Sequence, residues 1–391
     1  MITLEGALEI MKEHVFVQKT ERIPLSLSLN RILSCDIISD TDFPPFNKSA
    51  VDGFACLRSD LPGILTVTDK IRAGFISGRK VQKGECIKVM TGAPVPEGAD
   101  CIVMIEDVEN IDDTTIKINN AAGKTNICIQ GEDLKKGDTV IKRGSLITKK
   151  HVGSLASAGM HQIEVFKQPV VTVFSTGTEL VEPEDKLAPA KIRNSNGSQL
   201  IAQLASMGIT ALYGGITDDD IEIMQVELSR SIENFDGLIL SGGVSAGDYD
   251  FVPEVLTSMG FNIHFHKLNV KPGKPVLFAT KGNKFCFGMP GNPVSSFVQF
   301  ELLVKPYLYS LMGHKYKPTD LYLIAGSNFK RKNADAEGFI PVSLNEKSEI
   351  TELDYHGSGH VVALNHTFGL LRMPIGVNKI EKGEKGYVRQ I

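Results

Sequence analysis

The sequence lacks tryptophan, lacks long apolar runs, and carries little excess charge of either sign. Its 391 residues include 42 Lys and Arg against 46 Asp and Glu, a formal net charge of −4 at pH 7. This balance argues against a broad basic face, so we expect no nucleic-acid partner and only a local anion site. No apolar run approaches the ~20 residues of a membrane span, and the N-terminal stretch does not read as a signal peptide. We therefore expect a cytoplasmic protein with no membrane segment.

Paired metal-binding and nucleophilic motifs are also missing. The six cysteines include no C-x-x-C pair, which predicts reduced thiols rather than zinc ligands or disulfides. The nine histidines include no H-E-x-x-H and lie outside the loops considered below, so a nucleophilic triad has no support. The G-x-G-x-x-G and P-loop fingerprints are absent as well. These absences remove the commonest zinc, acyl-transfer and nucleotide-binding classes.

The residue composition and the spacing of apolar residues change three times along the chain, which predicts several domains. Apolar residues at helical spacing follow Thr3, and a second helix is expected over 149–159 and is expected to pack against the first. Short β-rich runs separated by turn residues occupy the interval between these helices. The predicted division is 1–22 with 137–166 as a discontinuous helical or linker domain, 23–136 as an inserted β-rich domain, 167–313 as an α/β domain, and 314–391 as a C-terminal β-barrel domain.

Strands and helices alternate in the third of these segments, which predicts a mainly parallel sheet with helices on both faces. Strands are expected at 170–174 and 209–216, and a third precedes Gly242. Asp218 or Asp219 is expected to cap a helix over 220–233. Ligands of such sheets bind at the carboxyl ends of the strands, so the loops there should form the site. These loops read STGTEL, TDDD, SGGVSAGDYD and PGNPVSS.

Two further helix starts are expected in this segment. Asn194, Ser195 or Asn196 can cap a helix that ends near Met207, and Asp250 is expected to cap a short helix. A last helix should begin after Asn292 and end before Gly313.

Three carboxylates follow three different strand ends of this predicted sheet. Glu179, Asp218 and Asp248 can converge on one cation, and Mg²⁺ takes one or two carboxylates together with substrate phosphate oxygens. Singly, Asp218 is more often a helix cap and Asp248 more often a turn residue. Taken together, their positions predict a Mg²⁺-dependent enzyme that acts on a phosphate-bearing small molecule.

Glycines, lysines and a helix start complete the expected anion site. Gly242 and Gly243 allow a close approach of the backbone to a ligand, and Lys267, Lys271 and Lys274 can neutralise an oxyanion. The PGNPVSS turn leads into a helix N-terminus, where free N–H groups favour an anion. Simple capping and a solvated lysine turn are the alternative explanations. Residues expected to bind the substrate are Ser175, Thr176, Gly177, Ser241, Gly242, Gly243, Ser245, Lys274, Pro290, Gly291, Asn292, Pro293 and Ser295.

Six motifs in order resemble the molybdopterin molybdenumtransferases, the family that also includes the gephyrin C-terminal domain. They are TGAPVPEGAD, GEDL, STGTEL, SGGVSAGDYD, KLNVKPGKP and PGNPVS, and the resemblance extends over essentially the whole chain. It implies a multidomain homodimer in which a mainly parallel α/β molybdopterin-binding domain is accompanied by small β domains and a C-terminal β-barrel. It also implies Mg²⁺-dependent insertion of molybdate into adenylylated molybdopterin, with hydrolysis and release of AMP.

The resemblance assigns roles to individual positions. It implies catalytic roles for Glu179, Asp218, Asp248, Lys267, Lys271, Asp52, Thr91 and Asp133, with the first three as metal ligands. Asp52, Thr91 and Asp133 would face the partner subunit's α/β domain across the dimer cleft. From the residues alone, Asp52 and Thr91 lie in Pro-stiffened loops that plain turn chemistry also explains.

Two other functions stay open at this point. A molybdopterin adenylyltransferase shares the α/β domain, but the residues after the two glycines differ and the extra β domains are unexpected there. A non-catalytic, gephyrin-like scaffold is the other, and retention of the acidic and lysine positions favours catalysis over it. Candidate partners are molybdopterin adenylyltransferase and molybdoenzymes that accept the cofactor.

Overall fold

The structure is a computed structural model that describes residues 1–120, 123–245 and 250–391. The helices in these ranges are α1 (Leu4–Glu13), α2 (Lys149–Ser157), α3 (Ser195–Ser206), α4 (Ile221–Asn234), α5 (Val252–Ser258), α6 (Pro293–Gln299) and α7 (Lys305–Leu311). A π-helical segment, Phe300–Val304, joins α6 to α7. Short 3₁₀ helices lie at Leu25–Leu27, Arg58–Asp60, Ile105–Asp107 and Val361–His366.

The strands fall into three stretches of the chain. The first holds β1 (Thr20–Pro24), β2 (Ile37–Ile38), β3 (Lys48–Ser49), β4 (Gly53–Cys56), β5 (Gly63–Ile71), β6 (Glu85–Val89), β7 (Cys101–Met104), β8 (Val108–Asn110), β9 (Thr115–Ile118), β10 (Ile127–Cys128), β11 (Thr139–Ile141) and β12 (Gln162–Phe166). The second holds β13 (Val171–Thr176), β14 (Leu180–Val181), β15 (Ile192–Arg193), β16 (Ala211–Thr217), β17 (Gly237–Ser241), β18 (Asn262–Lys267), β19 (Val270–Lys271), β20 (Pro275–Lys281) and β21 (Lys284–Met289). The third holds β22 (Asp320–Ile324), β23 (Phe329–Lys330), β24 (Glu337–Leu344), β25 (Ile350–Glu352), β26 (Gly369–Met373), β27 (Lys379–Ile380) and β28 (Lys385–Gln390).

A six-stranded mixed sheet lies at the centre, in the order β16-β13-β17-β21-β20-β18. The first four strands run parallel, whereas β20 and β18 are antiparallel to their neighbours. The antiparallel portion follows from the short Gly282-Asn283 turn between β20 and β21, because a tight hairpin can only join antiparallel strands. The architecture is thus multidomain with mixed sheets.

Helices pack against both faces of this sheet. On one face Leu200 and Leu204 of α3 pack with Val294 and Val298 of α6. On the other face Met224 and Leu228 of α4 pack with residues of α5 in a separate apolar cluster. Both faces of the central strands are therefore buried, which accounts for their continuous apolar composition.

The two N-terminal helices do not form the expected pair. Helix α1 packs into the large central cluster beside α7, whereas α2 contributes Leu155 to a different cluster with β11 and β12. The stretches before and after the inserted β-rich segment are joined by strands instead, because β1 pairs antiparallel with β12 from Thr20↔Phe166 to Pro24↔Gln162. The prediction that the helices pack together was wrong, since amphipathic spacing shows which face is buried but not against what.

Two further six-stranded sheets are described, one from the β-rich segment and one from the C-terminal stretch of the chain. The β-rich segment forms a six-stranded sheet in the order β7-β4-β6-β5-β9-β8, and the C-terminal stretch forms the order β19-β24-β26-β28-β22, with β25 paired to β24. Strand β19 comes from the central stretch of chain, so the C-terminal sheet is hydrogen-bonded directly to Val270 and Lys271. None of the helices in the described ranges is both long and apolar enough to span a membrane.

Candidate active site

A cavity of about 830 Å³ opens where β13, β17 and β21 end. The predicted site residues that line it are Thr176, Gly177, Glu179, Ser241, Gly242, Gly243, Ser245, Pro290, Gly291, Asn292, Pro293 and Ser295. Strand ends, the two-glycine turn and the PGNP turn thus meet at one edge of the sheet. Ser175 lies just behind the cavity, where its buried hydroxyl donates to Asn194 Oδ1 at 3.0 Å.

The glycines after β17 are required by the backbone and by their neighbours. Gly242 has φ +99°, and a Cβ there would lie 2.5 Å from the carbonyl oxygen of Thr176. Gly243 has φ +65°, and its Cβ would lie 2.9 Å from Thr176 Oγ1. No side chain fits at either position, so this wall of the cavity is made of main chain.

Among the described residues, three carboxylates line the cavity, and one of them, Glu179, is an expected metal ligand. They belong to Glu179, Asp219 and Asp250. Asp219 Oδ2 accepts the backbone N–H of Thr178 at 3.1 Å. Burial raises the pKa of Asp219, and the nearby negative charges of Glu179, Asp218 and Asp250 raise it further. The site therefore holds concentrated negative charge that a cation would relieve.

The N-caps of two helices in this region, α4 and α5, lie further along the chain than expected. The cap of α4 is Asp220, whose Oδ1 accepts the N–H groups of Glu222 and Ile223, both at 3.0 Å. With the third aspartate capping, the second turns toward the cavity, and Asp218 does not line it. The N-cap position of α5 is held by Phe251, one residue after the expected Asp250.

The remaining metal-ligand prediction, Asp248, lies outside the described residues. Within the ranges that are described, no group of three or more His, Cys, Asp or Glu side chains is arranged to hold a metal ion unaided. The nearby carboxylates nevertheless match the chemistry of Mg²⁺, which binds one or two carboxylates and completes its octahedron with water and phosphate oxygens. The donor set fits that ion.

Two asparagines missed as site residues sit at the start of α3. Asn194 is the N-cap, as one of the sequence alternatives had it, and its Oδ1 accepts the N–H of Gly197 at 3.0 Å. Asn196 Nδ2 donates to Ser241 Oγ at 2.7 Å and to the Gly291 carbonyl at 2.8 Å. Sequence reasoning considered both only as caps, yet both line the cavity.

A loop from the C-terminal stretch closes over the PGNP turn. The carbonyl oxygen of Ser358 accepts the N–H of Val294 at 3.0 Å, in the first turn of α6. Ser358 and Gly359 line the cavity, although nothing in the sequence placed the YHGSGH segment there. One N–H of the expected anion-binding helix start is therefore already paired.

A second cavity, of about 570 Å³, adjoins the first and is rich in cationic residues. Lys271, Lys330, Arg331 and Lys332 line it, as does Ser358. Lys271 Nζ pairs with Asp335 Oδ1 at 3.1 Å, and both side chains are largely exposed. The Arg331 guanidinium donates to three backbone carbonyls and so supports the wall. Lys267 and Lys274 are exposed and line neither cavity.

The predicted residues of the β-rich segment lie apart from both cavities. Asp52 Oδ1 accepts the N–H and the hydroxyl of Thr91, at 2.6 and 2.7 Å, and these bonds lower the pKa of Asp52. Asp133 is exposed in the loop after β10, the strand that pairs with β3. Neither cavity is lined by Asp52, Thr91 or Asp133.

Comparison with known proteins places this architecture in a family. Residues 2–159 match the family described as MoeA N-terminal region (domain I and II), and residues 172–310 match a probable molybdopterin binding domain. A molybdopterin molybdenumtransferase of Staphylococcus epidermidis is 35% identical over 389 residues, which cover 97% of this chain and 93% of that protein. The chain belongs to the molybdopterin molybdenumtransferase family.

Further relatives agree with that membership. A molybdopterin molybdenumtransferase of Staphylococcus aureus is 33% identical over 92% of this chain and 88% of its own length. A molybdopterin biosynthesis MoeA protein of Pyrococcus horikoshii superposes with a TM-score of 0.85 at 27% identity, covering all of both chains. The sequence resemblance to molybdopterin molybdenumtransferases is thus confirmed.

Proposed function

We propose that this molybdopterin molybdenumtransferase inserts molybdenum into adenylylated molybdopterin and releases AMP from it. The observation that carries the proposal is the contact between the two cavities. Gly273 and Pro275 line the carboxylate-lined cavity, Lys271 and Pro272 line the cationic cavity, and Ser358 lines both. A phosphate-bearing organic substrate and a small oxyanion can therefore bind side by side.

The first cavity suits the organic substrate. Its volume of about 830 Å³ lies in the usual range for a small-molecule site. The glycine wall of Gly242 and Gly243 permits close approach of phosphate oxygens to the main chain, although the N–H of Gly242 itself already donates to the Met289 carbonyl at 3.0 Å. Glu179, Asp219 and Asp250 would hold Mg²⁺, with Asp248 retained as a predicted ligand. When bound, that ion would neutralise charge on the phosphoanhydride oxygens.

The second cavity suits molybdate. A dianion there would lie near the ammonium groups of Lys271, Lys330 and Lys332. Each ammonium group can only donate hydrogen bonds, as a bound oxyanion requires. Lys271 pairs with exposed Asp335, and such exposed pairs contribute little, so an oxyanion can compete for it. The chain's own groups thus bind and orient the two reactants; Lys267 and Lys274 are retained as predicted contributors to the same positive potential.

We further propose the finer organisation expected from the sequence. The four-domain division is supported by the β1–β12 pairing, the separate sheets and the distinct apolar clusters. The C-terminal sheet would close as a β-barrel, and the α/β domain would be the molybdopterin-binding unit. Because Asp52, Thr91 and Asp133 line neither cavity, a cytoplasmic homodimer that brings them to a partner's site would explain their predicted role. Light scattering tests the dimer.

The activity is tested with adenylylated molybdopterin, Mg²⁺ and molybdate, by following AMP and molybdenum cofactor together. We expect AMP release that depends on molybdate and Mg²⁺ and needs no ATP. ATP-dependent adenylylation of free molybdopterin would instead make the protein an adenylyltransferase. A folded protein with no turnover in either assay would be a scaffold.

A further inference from the structure

Asn196 has a buried side chain of which only one end is used. Its residue is 7% exposed, and it occupies the second position of α3. Both described hydrogen bonds of its amide come from Nδ2, one to Ser241 Oγ and one to the Gly291 carbonyl. Its Oδ1 is buried and has no hydrogen-bond partner in the described part of the chain.

The orientation of this amide is set by chemistry. The Gly291 carbonyl can only accept, so the nitrogen of Asn196 must face it and the oxygen must face the other way. Flipping the amide would set two acceptors against each other at 2.8 Å. The unpartnered group is therefore an acceptor, and it belongs to a residue that lines the first cavity.

Asn194 lines the cavity at the same helix start, but its amide is paired within the chain. Its Oδ1 accepts from Gly197 N and from Ser175 Oγ, and its Nδ2 donates to Tyr213 Oη at 2.7 Å. Both ends of that amide are used. A buried carbonyl oxygen left without a donor costs about 1–3 kcal/mol. Gln203 Oε1 and Gln299 Oε1 are unpaired in the same way but line neither cavity, so of these three amide oxygens only that of Asn196 belongs to a residue beside the bound substrate.

We propose that a small shift at the start of α3 opens Asn196 Oδ1 to the first cavity, where it accepts a hydrogen bond from an N–H donor on a heterocycle of the substrate and thereby selects its orientation. This proposal rests on the proposed function and deepens it. Two parts of adenylylated molybdopterin carry such donors, the amino-substituted pterin and the adenine amino group. Thr176 Oγ1, which also lacks a partner and belongs to a cavity-lining residue, provides a second polar contact.

The same residue couples recognition to the shape of the site. Through Nδ2 it ties the end of β17 at Ser241 to the PGNP turn at Gly291. A donor on Oδ1 would order that amide further, so ligand binding and alignment of the two turns are linked at one side chain. Asn196 is in this sense a binding residue, distinct from the carboxylates.

The chain offers a matched control one turn along the same helix. Gln199 Nε2 donates to the Pro293 carbonyl at 3.1 Å, so it also ties α3 to the PGNP segment, but it does not line either cavity. Gln199→Ala removes such a tie without touching an open acceptor. Asn196→Ala removes tie and acceptor, whereas Asn196→Asp keeps an acceptor oxygen.

The experiment measures dissociation constants of molybdopterin and of AMP, each alone, for the wild type and these three variants. We expect Asn196→Ala to weaken one of the two ligands about tenfold, Asn196→Asp to weaken it less, and Gln199→Ala to leave it unchanged. An effect on molybdopterin alone identifies the pterin as donor, and an effect on AMP alone identifies adenine. Circular dichroism checks that each variant folds. If Asn196→Ala does not fold, the dissociation constants of Asn196→Asp and Gln199→Ala are compared instead.

Two outcomes overturn the proposal. Unchanged affinity for both ligands would show that the acceptor is unused. Equal losses of affinity in Asn196→Ala and Gln199→Ala would show that only the hydrogen bonds joining α3 to the PGNP segment matter. These outcomes are separable from the proposed activity. A wild-type protein that binds molybdopterin through Asn196 yet releases no AMP would contradict the proposed function alone, whereas normal turnover in Asn196→Ala with wild-type affinities would contradict the inference alone.

Discussion

The side-chain amide of Gln299 donates a 2.9 Å hydrogen bond to the carbonyl oxygen of Pro272. Gln299 is fully buried at the end of α6, and a Cβ on Gly273 would lie 2.6 Å from its Cγ. Helix α6 starts at the PGNP turn, and its last residue therefore holds the Pro272-Gly273 turn, which lies between the two cavities. Both walls of the candidate active site depend on one continuous helix.

Gln299→Leu should loosen this turn while keeping most of the side-chain volume. Loss of the donor leaves the Pro272 carbonyl short of a partner, but the variant also removes Gln299 Oε1, which is buried without a donor among the described residues, so we expect a loss of less than about 1 kcal/mol in the free energy of unfolding. We also expect a higher KM for molybdate, because Lys271 precedes Pro272. Urea unfolding and the molybdate dependence of AMP release measure the two effects.

Gln203→Leu is the control for that variant. Gln203 is a buried amide of α3 that donates to Phe297 O and Glu301 Oε1, and it lines neither cavity. It should lose stability without a change in the KM for molybdate. A comparable rise in KM in both variants would show that the clamp is not specific to the turn.

Asp219→Asn should impair AMP release far more than Asp218→Asn. The amide can still accept the Thr178 N–H, so the fold should survive, but a carboxylate that lines the cavity is lost. We expect a loss of at least about tenfold for Asp219→Asn, measured at saturating molybdate across a Mg²⁺ titration. A greater loss in Asp218→Asn would return the role to the residue first predicted from the sequence.

Lys271→Ala should raise the KM for molybdate about tenfold, because a charged hydrogen-bond donor to the oxyanion is lost. Lys267→Ala, which removes a lysine outside both cavities, should change it much less. Asp335→Asn should lower KM, since it frees Lys271 from its exposed partner. Initial rates at several molybdate concentrations check all three. An identical effect of Lys267→Ala and Lys271→Ala would point to general positive potential instead of a local site.

Thr91→Ala should raise the pKa of Asp52 part of the way back to its ordinary value. The variant loses the hydroxyl donor and keeps the backbone N–H, so the pKa stays lowered by the remaining bond. A lowered carboxyl pKa adds stability that is present above the unfolded-state pKa and is lost as pH falls through the folded value. Carboxyl carbon NMR across pH 2–6 measures the shift, with Thr68→Ala, whose hydroxyl bonds the Cys86 carbonyl, as the control. An unchanged Asp52 titration in Thr91→Ala would contradict this account.

The sequence was most informative where the physical cause is local. Thr3 caps α1, Asn194 caps α3, and Gly313 follows the last helix with φ +71°, because each depends on residues within one turn. Strand ends at the STGTEL, SGGVS and PGNP motifs also met at one edge of the sheet, as parallel strands in an α/β unit must. The order of the six motifs along the chain was sufficient to identify the family.

Neighbouring residues of equal chemistry could not be told apart in the same way. Three consecutive aspartates compete for one cap, and only the packed helix shows that Asp220 takes it and Asp219 faces the cavity. Asn196 reads in the sequence as one of several cap alternatives. Only the tertiary structure shows that its Nδ2 donates to Ser241 and Gly291 and that its Oδ1 is left without a donor in the described part of the chain.

The amino-acid sequence by itself determined the family, the local caps and turns, and the alternation of strands and helices, since these follow from composition and spacing along the chain. Only the tertiary structure decided which partners meet: β1 with β12, Ser358 over the first turn of α6, and Gln299 against Pro272. Those contacts join residues far apart in the chain, and spacing carries no information about which distant segments pack together.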